Sequence, residues 1–294
     1  MRMMTRLLAL ATLTLMAACG QDTAPAPKVQ GGPALWQVQR GDLNGWLFGT
    51  IHVLPKHVDW QTPAISDAMG SADTLVLEAA DLQDEQKTLT LFENMGRSPG
   101  LPPLEKRVPD TEKAALDKAL SDGGTSSQLL SGYESWAAAM LLSAASQQGL
   151  GVSQDDGVEP VLIAAFKKAG KPIGGLETVE RQFAAFDTLP EKAQSALLVQ
   201  TIHEAKGMKA LYDRILTAWS KGDMEAIAKE DKIGEQPDPV VEEAILVARN
   251  RDWVKAIEPM KGRPFIAVGA GHLTGQNNLI QLLETKGYKV TRVQ

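Results

Sequence analysis

From residue 34 onward, short apolar runs alternate with longer stretches of helical period. Residues 34–38 and 45–49 are apolar-rich and flank the turn-rich segment 39–44, the pattern of a β-hairpin whose second strand ends at Gly49. Residues 75–78 make a third short strand ending at Glu78. Residues 131–150 are alanine-rich with large side chains at helical spacing and predict a helix stopped by Gly149. Residues 157–177 read as helix, glycine stop and short strand. Pro190 opens a long helix or helical pair. Residues 239–260 form another amphipathic helix, and the chain closes with strand, helix and strand from Pro264 to Val293. This alternation predicts an α/β fold: a mixed β-sheet core with helices on its faces and a helical insertion.

Two of these predicted strands end alike. "WLFGTIH" places Gly49 three residues before His52, and "FIAVGAGH" places Gly269 three before His272. Glycine is 26 of 294 residues and histidine only four, so two such hits arise by chance about 4% of the time. The end of a strand in an α/β sheet faces the crevice where sites are built. A glycine there permits a sharp turn or a close approach, and the histidine beyond can point inward. Two imidazoles so placed lack an anionic partner, and Glu78, which also ends an apolar run, supplies one. Two histidines and a carboxylate suit a divalent metal with open positions, with manganese, cobalt and zinc all compatible. The alternative is that each histidine caps a strand end by bonding to backbone. The helical insertion then lies between the two strand-GxxH units.

The formal charge of −6 and pI near 5.4, with no dense Lys/Arg cluster, argue against a nucleic-acid partner. The N-terminus changes the picture more. Arg2 and Arg6 precede an apolar run to Ala18 that is too short for a comfortable membrane span and ends in small residues, as a secretory signal does. "MAAC" ends at Cys19, the only cysteine, and resembles a bacterial lipobox with methionine in place of the usual leucine. Gly20, rather than aspartate, points to the outer membrane, facing the periplasm. The other reading is an ordinary signal with an incidental cysteine. Residues 20–33, rich in proline, glycine and alanine, read as a tether. The expected organisation is a signal peptide over 1–18, anchor and tether over 19–33, and one domain over 34–294. With Cys19 lipidated, that domain would hold no disulfide.

"GTIH", "LVLEA", "KPIGGLETVERQFAAFDTLP" and "GAGHLTG", taken together, resemble the TraB/GumN family, whose relatives include the Tiki proteases and, more distantly, the erythromycin-esterase and ChaN-like folds. The resemblance spans about residues 35–293. It implies metal-dependent peptide cleavage with His52, Glu78 and His272 as metal ligands. It also draws in Arg249 and Asn250, through "VARNRDW", and Glu159, which stands where relatives commonly carry aspartate. The longer side chain of Glu159 argues against a fixed role there.

Other candidates carry two readings each. Glu177, ending "PIGGLE", is a general base or a partner of a ligand histidine, or else it caps the helix starting near Thr178. Arg249 stabilises a developing oxyanion, or makes a surface ion pair. His57 lines the site mouth or lies on a surface loop. His203, in "HEAKG", lacks the second histidine of a zinc helix and reads as a half-buried or solvated helix residue. No GxSxG is present, and "GAGHLTG" lacks the Gly-Lys-Ser/Thr ending of a phosphate loop. Three functions compete: a metal-dependent hydrolase acting on a peptide or other small substrate, held to the membrane by its lipid anchor; a protein that sequesters a peptide, metal or haem in the same crevice; and, by analogy with the GumN name alone, an accessory of polysaccharide assembly.

Overall fold

The computed structural model describes residues 31–56, 58–230 and 238–294. Cys19, the signal segment, most of the tether and His57 lie outside the described residues.

The hairpin forms as expected. β1 (Leu35–Arg40) pairs antiparallel with β2 (Leu43–Thr50), turning at Gly41 with φ of +54°. A two-residue strand, β3 (Leu54–Pro55), pairs with β5 (Val152–Ser153) outside the main sheet. β4 (Thr74–Ala79), β6 (Ile173–Glu177), β7 (Pro264–Gly269) and β8 (Lys289–Arg292) complete a six-stranded sheet of order β6-β4-β7-β2-β1-β8. β6, β4, β7 and β2 run parallel, while β1 is antiparallel to both of its neighbours. The four parallel strands therefore bring their C-terminal ends to one edge. Those ends carry Glu177, Glu78, Gly269 and Thr50.

β7 is apolar throughout because both of its faces are covered. Phe265 and Ala267 join one core with Phe48, Trp60, Phe166 and Trp219. Ile266 and Val268 join another with Leu47, Trp253 and Leu279. The helical insertion lies between β4 and β7 in sequence. Its helices Glu85–Gly96, Lys113–Asp122, Ser135–Ser146, Val179–Asp187 and Glu191–Lys206 bury a separate core around Phe92, Trp136 and Phe183.

Several expected helices end where glycine signals placed them. Gly149 and Gly170 have φ of +92° and +67° just beyond their helices. The stretch after Pro190 is a helical pair, Glu191–Lys206 and Met208–Ser220, divided at Gly207. Residues 239–257 depart from one uniform helix. A π-helical turn, Glu243–Val247, leads into the helix Ala248–Ile257. Such turns concentrate at functional sites, and this one immediately precedes Arg249 and Asn250. Helices Pro63–Ser71, Glu85–Gly96 and Lys113–Asp122 were not marked by the apolar pattern. Their starts rest on side-chain caps or short helical lead-ins rather than on a strong apolar stripe, as Thr62 and Asp84 show.

Candidate functional site at the parallel strand ends

β2 and β7 are neighbours in register, Gly49 opposite Val268 and Thr50 opposite Gly269, so the two GxxH turns emerge side by side. Neither glycine has positive φ among the described residues. Both serve close approach. A Cβ on Gly49 would press on Ala270 and Leu273 at 3.3–3.4 Å, so this glycine lets the second GxxH turn pack over the first strand. A Cβ on Gly269 would stand 3.2 Å from Glu78 Oε1, 3.9 Å from His52 Nε2 and 3.9 Å from His272 Cδ2. Gly269 thus marks the point where His52, Glu78 and His272 converge.

Glu78 is buried near the end of β4. Its Oε1 accepts from the Gly269 N–H at 2.7 Å, and its Oε2 accepts from Arg249 Nη2 at 2.8 Å. Burial opposes its ionisation. The surrounding His272, Arg249 and His52 and the Gly269 amide outweigh burial and bring its pKa down to about 2. His272 is uncharged at neutral pH, so Arg249 is the buried cation that holds Glu78 ionised.

The tautomer of His272 follows from its partners. Asn250 Nδ2 donates to the His272 and Asn277 carbonyls, which turns Asn250 Oδ1 towards the ring. His272 Nδ1–H donates to that oxygen at 2.7 Å. Nε2 is left as an acceptor, 3.1 Å from Arg249 Nη1 and 3.9 Å from Glu78 Oε1. The indole of Trp253 packs against the ring at a centroid distance of 4.2 Å. Burial lowers the His272 pKa to about 3; Glu78 pulls the other way, while Arg249 and His52 reinforce burial. The ring is neutral.

His52 is held differently. Its side chain is 65% exposed, and Nδ1 lies 2.9 Å from Glu159 Oε1. The Glu159 carboxylate raises the His52 pKa to about 9, against an opposing desolvation effect; solvent around so exposed a ring screens that attraction. Glu159 also accepts from Thr50 Oγ1 at 2.6 Å and is itself held ionised: burial raises its pKa, but His52 and Thr50 lower it further. Gly157 brings this segment in, because its Cα abuts the His52 carbonyl with no room for a side chain. The longer carboxylate of Glu159 therefore has a fixed place, contrary to the sequence expectation. Reaching from the first turn of the helix Val158–Lys168, it bridges Thr50 and His52.

Arg249 ties the site together. Its Nε and Nη2 donate to Glu177 Oε1 at 2.9 and 2.5 Å, Nη2 also donates to Glu78, and Nη1 donates to the Ile245 carbonyl at 3.0 Å and to His272. All five guanidinium donors are engaged inside the protein. Arg249 is a buried cation between two carboxylates rather than a surface ion pair, and no donor is left over for an oxyanion. Glu177 is buried beside it, and the cap of the following helix is Thr178, whose side chain accepts from the Arg181 N–H. The capping alternative for Glu177 is thus taken by its neighbour.

The strand ends therefore gather His52, Glu78, Glu177 and His272, and the helix Ala248–Ile257 adds Arg249 from above. Asn250 was visible only beside Arg249 in the resemblance, and Trp253 was not singled out. Their signal is helical spacing, since Arg249 and Trp253 are four apart and share a face. His203 stands apart, with its Nε2 2.7 Å from Glu112 on the helical insertion. Among the described residues, no three His, Cys, Asp or Glu side chains stand as a metal cluster.

A protein named "Uncharacterized protein YbaP" from Shigella flexneri is 28% identical over 254 residues, covering 85% of this chain and 92% of the relative. The protein of the same name from Escherichia coli (strain K12) is 28% identical over 266 residues, covering 85% of this chain and 96% of the relative. No solved structure matches the chain. The model of the TraB/PrgY/gumN family matches residues 34–292, from the start of the hairpin through both GxxH turns to the last strand, and the chain belongs to that family.

Proposed function

We propose that this protein is a metal-dependent hydrolase, peptidase-like in its chemistry, held in the cell envelope by a lipid on Cys19. The observation that supports it is the paired orientation of the two histidines. Each Nδ1–H is engaged by a partner, Glu159 or Asn250, and each ring turns its other edge towards Glu78 at Gly269. Ligand histidines are held this way, because the second hydrogen bond sets both tautomer and direction. His52 Nε2, a Glu78 oxygen and His272 Nε2 fit a divalent ion by donor type. For them to act together, Arg249 must yield its contact with His272 Nε2, and His52 must give up its second proton.

A divalent cation there would activate water and polarise the scissile carbonyl. The chain's own residues would do the rest. Arg249 places its positive charge between the buried side chains of Glu78 and Glu177. Glu177, which ends β6 beside Arg249, is the candidate base. Glu159 and Asn250 hold the rings in place.

The test is metal content and cleavage of a peptide library by the full-length protein. Wild type should hold about one divalent ion and lose turnover reversibly to chelator. His52→Ala, Glu78→Gln and His272→Ala should each lose metal and turnover, whereas Glu177→Gln should keep metal and lose turnover. Undiminished cleavage by metal-free protein rejects this reading. Metal bound without cleavage of any peptide supports the sequestering alternative, which the full engagement of Arg249 favours. For the anchor, Cys19→Ser should release the protein from the membrane fraction; an unmodified Cys19 in mature wild-type protein, seen by mass spectrometry, would overturn it.

A further inference from the structure

A cavity of about 340 Å³ is lined in part by Asn250 and Gly271. Its walls combine aliphatic residues, Leu197, Leu211, Ile215, Val241, Ile245 and Leu246, with polar ones that include Gln200, Glu204 and Gln276. Such a size falls within the range of small-ligand sites, about 300–1,000 Å³, which are mostly apolar with a few placed polar groups. Two of its lining residues belong to the strand-end site. Asn250 orients His272, and Gly271 immediately precedes it. A third, Ile245, lines the cavity, and its carbonyl accepts from Arg249. The π-helical turn Glu243–Val247 thus borders both the cavity and Arg249.

Glu204 supplies the placed polar group. It lines the same cavity, and Gln200 Nε2 donates to it at 2.8 Å. Burial raises its pKa, as expected for a carboxyl against an apolar wall. A second carboxylate brought into this space would meet the same desolvation, with repulsion added wherever Glu204 is ionised. Glu242 adds an acidic group at the same cavity, whereas Glu230 is paired there with Arg214 at 2.7 Å.

We propose that this cavity is the specificity pocket of the strand-end site, receiving a large aliphatic or aromatic side chain of a peptide and rejecting aspartate and glutamate. The assignment rests on the hydrolase reading for its position beside the cleaved bond, but occupancy of the pocket can be measured without turnover. The cavity is lined by Asn250 and Gly271, the chain neighbours of Arg249 and His272, it offers aliphatic surface, and no Lys or Arg among the described residues lines it to meet an acidic ligand.

The experiment uses full-length protein and fluorescein-labelled peptides that differ at one position, carrying Leu, Phe, Ala or Asp. Binding is followed by fluorescence anisotropy in chelator, and cleavage is followed with metal restored. The Leu and Phe peptides should bind and be cleaved at least about tenfold better than the Asp peptide, in line with the discrimination an apolar pocket achieves. Leu211→Trp, at a half-buried position, should fill the cavity and lower binding of the Leu peptide about tenfold, with metal content unchanged. Ile215→Phe is the second filling variant should Leu211→Trp not fold. Glu204→Gln should narrow the penalty on the Asp peptide. Binding without cleavage supports the pocket and removes the hydrolase reading. Cleavage that ignores both the varied position and the filling variants overturns the pocket and leaves the hydrolase reading standing. Failure of all four peptides to bind, with metal present, also overturns the pocket.

Discussion

The two GxxH turns share a local frame and differ in nearly everything around it. His272 is buried, neutral and sandwiched between Asn250, Arg249 and the Trp253 ring, with its pKa lowered to about 3. His52 is 65% exposed, paired with Glu159, and raised to about 9. The glycines diverge as well. Gly49 gives room to Ala270 and Leu273, whereas Gly269 gives room to Glu78. A repeated motif can thus specify where a side chain starts while its surroundings decide the charge it carries. If the hydrolase reading holds, one histidine is a preformed neutral donor and the other arrives carrying a proton.

Removing the cation that creates the buried half of this contrast should have the largest effect. Arg249→Met leaves Glu78 and Glu177 buried without their counter-charge, and breaking such a pair from one side costs about 3–5 kcal/mol. Urea denaturation should show that loss, and adding Glu177→Gln should recover part of it. A loss below about 1 kcal/mol would mean that Arg249 does not balance the two carboxylates.

The histidines themselves should separate next. His272→Ala removes a buried ring packed on Trp253 and leaves Asn250 Oδ1 without its donor, a cost of about 2–4 kcal/mol. His52→Ala removes an exposed, screened ion pair, a cost of about 1 kcal/mol or less. Equal losses in the same denaturation experiment would erase the distinction between buried and exposed histidine.

The smallest effect is in the pH dependence of stability, measured in chelator. His52 has a folded pKa raised from 6.5 to about 9, so its contribution is complete below pH 6.5 and is lost as pH rises through 9. His272 is lowered from 6.5 to about 3 and Glu78 from 4.5 to about 2, so theirs is present above those unfolded values and is lost as pH falls towards 3 and 2. Stability should peak near pH 6.5–7 and fall on both sides, gently on the alkaline side because His52 is exposed. Glu159→Gln should flatten the alkaline arm and leave the acid arm in place. An unchanged alkaline arm would show that Glu159 does not hold the His52 proton.

Much of the scaffold was legible from local pattern. The hairpin, the strands at β4, β6 and β7, the glycine stops and the helical insertion all follow from apolar periodicity and turn chemistry, which act over a few residues. The candidate residues at the ends of those strands were legible for the same reason, since parallel strands deliver their C-terminal ends to one edge. Less visible were groups whose meaning depends on contact across the chain. Glu159 stands 107 positions after His52, and its extra methylene looked like a liability until Gly157 was seen to bring it against that ring. Arg249 on a helix resembled any solvated arginine. Only the meeting of β4, β6 and that helix places it between two buried carboxylates.

The sequence by itself determined the strand ends, the residue types offered there and the membership of the TraB/PrgY/gumN family, because these are written in runs of adjacent residues. Tertiary structure alone decided which histidine is neutral, which carboxylate has a cation, and that a cavity borders Asn250 and Gly271. Burial and charge pairing depend on neighbours brought together from distant positions, and no local pattern carries the dielectric they create.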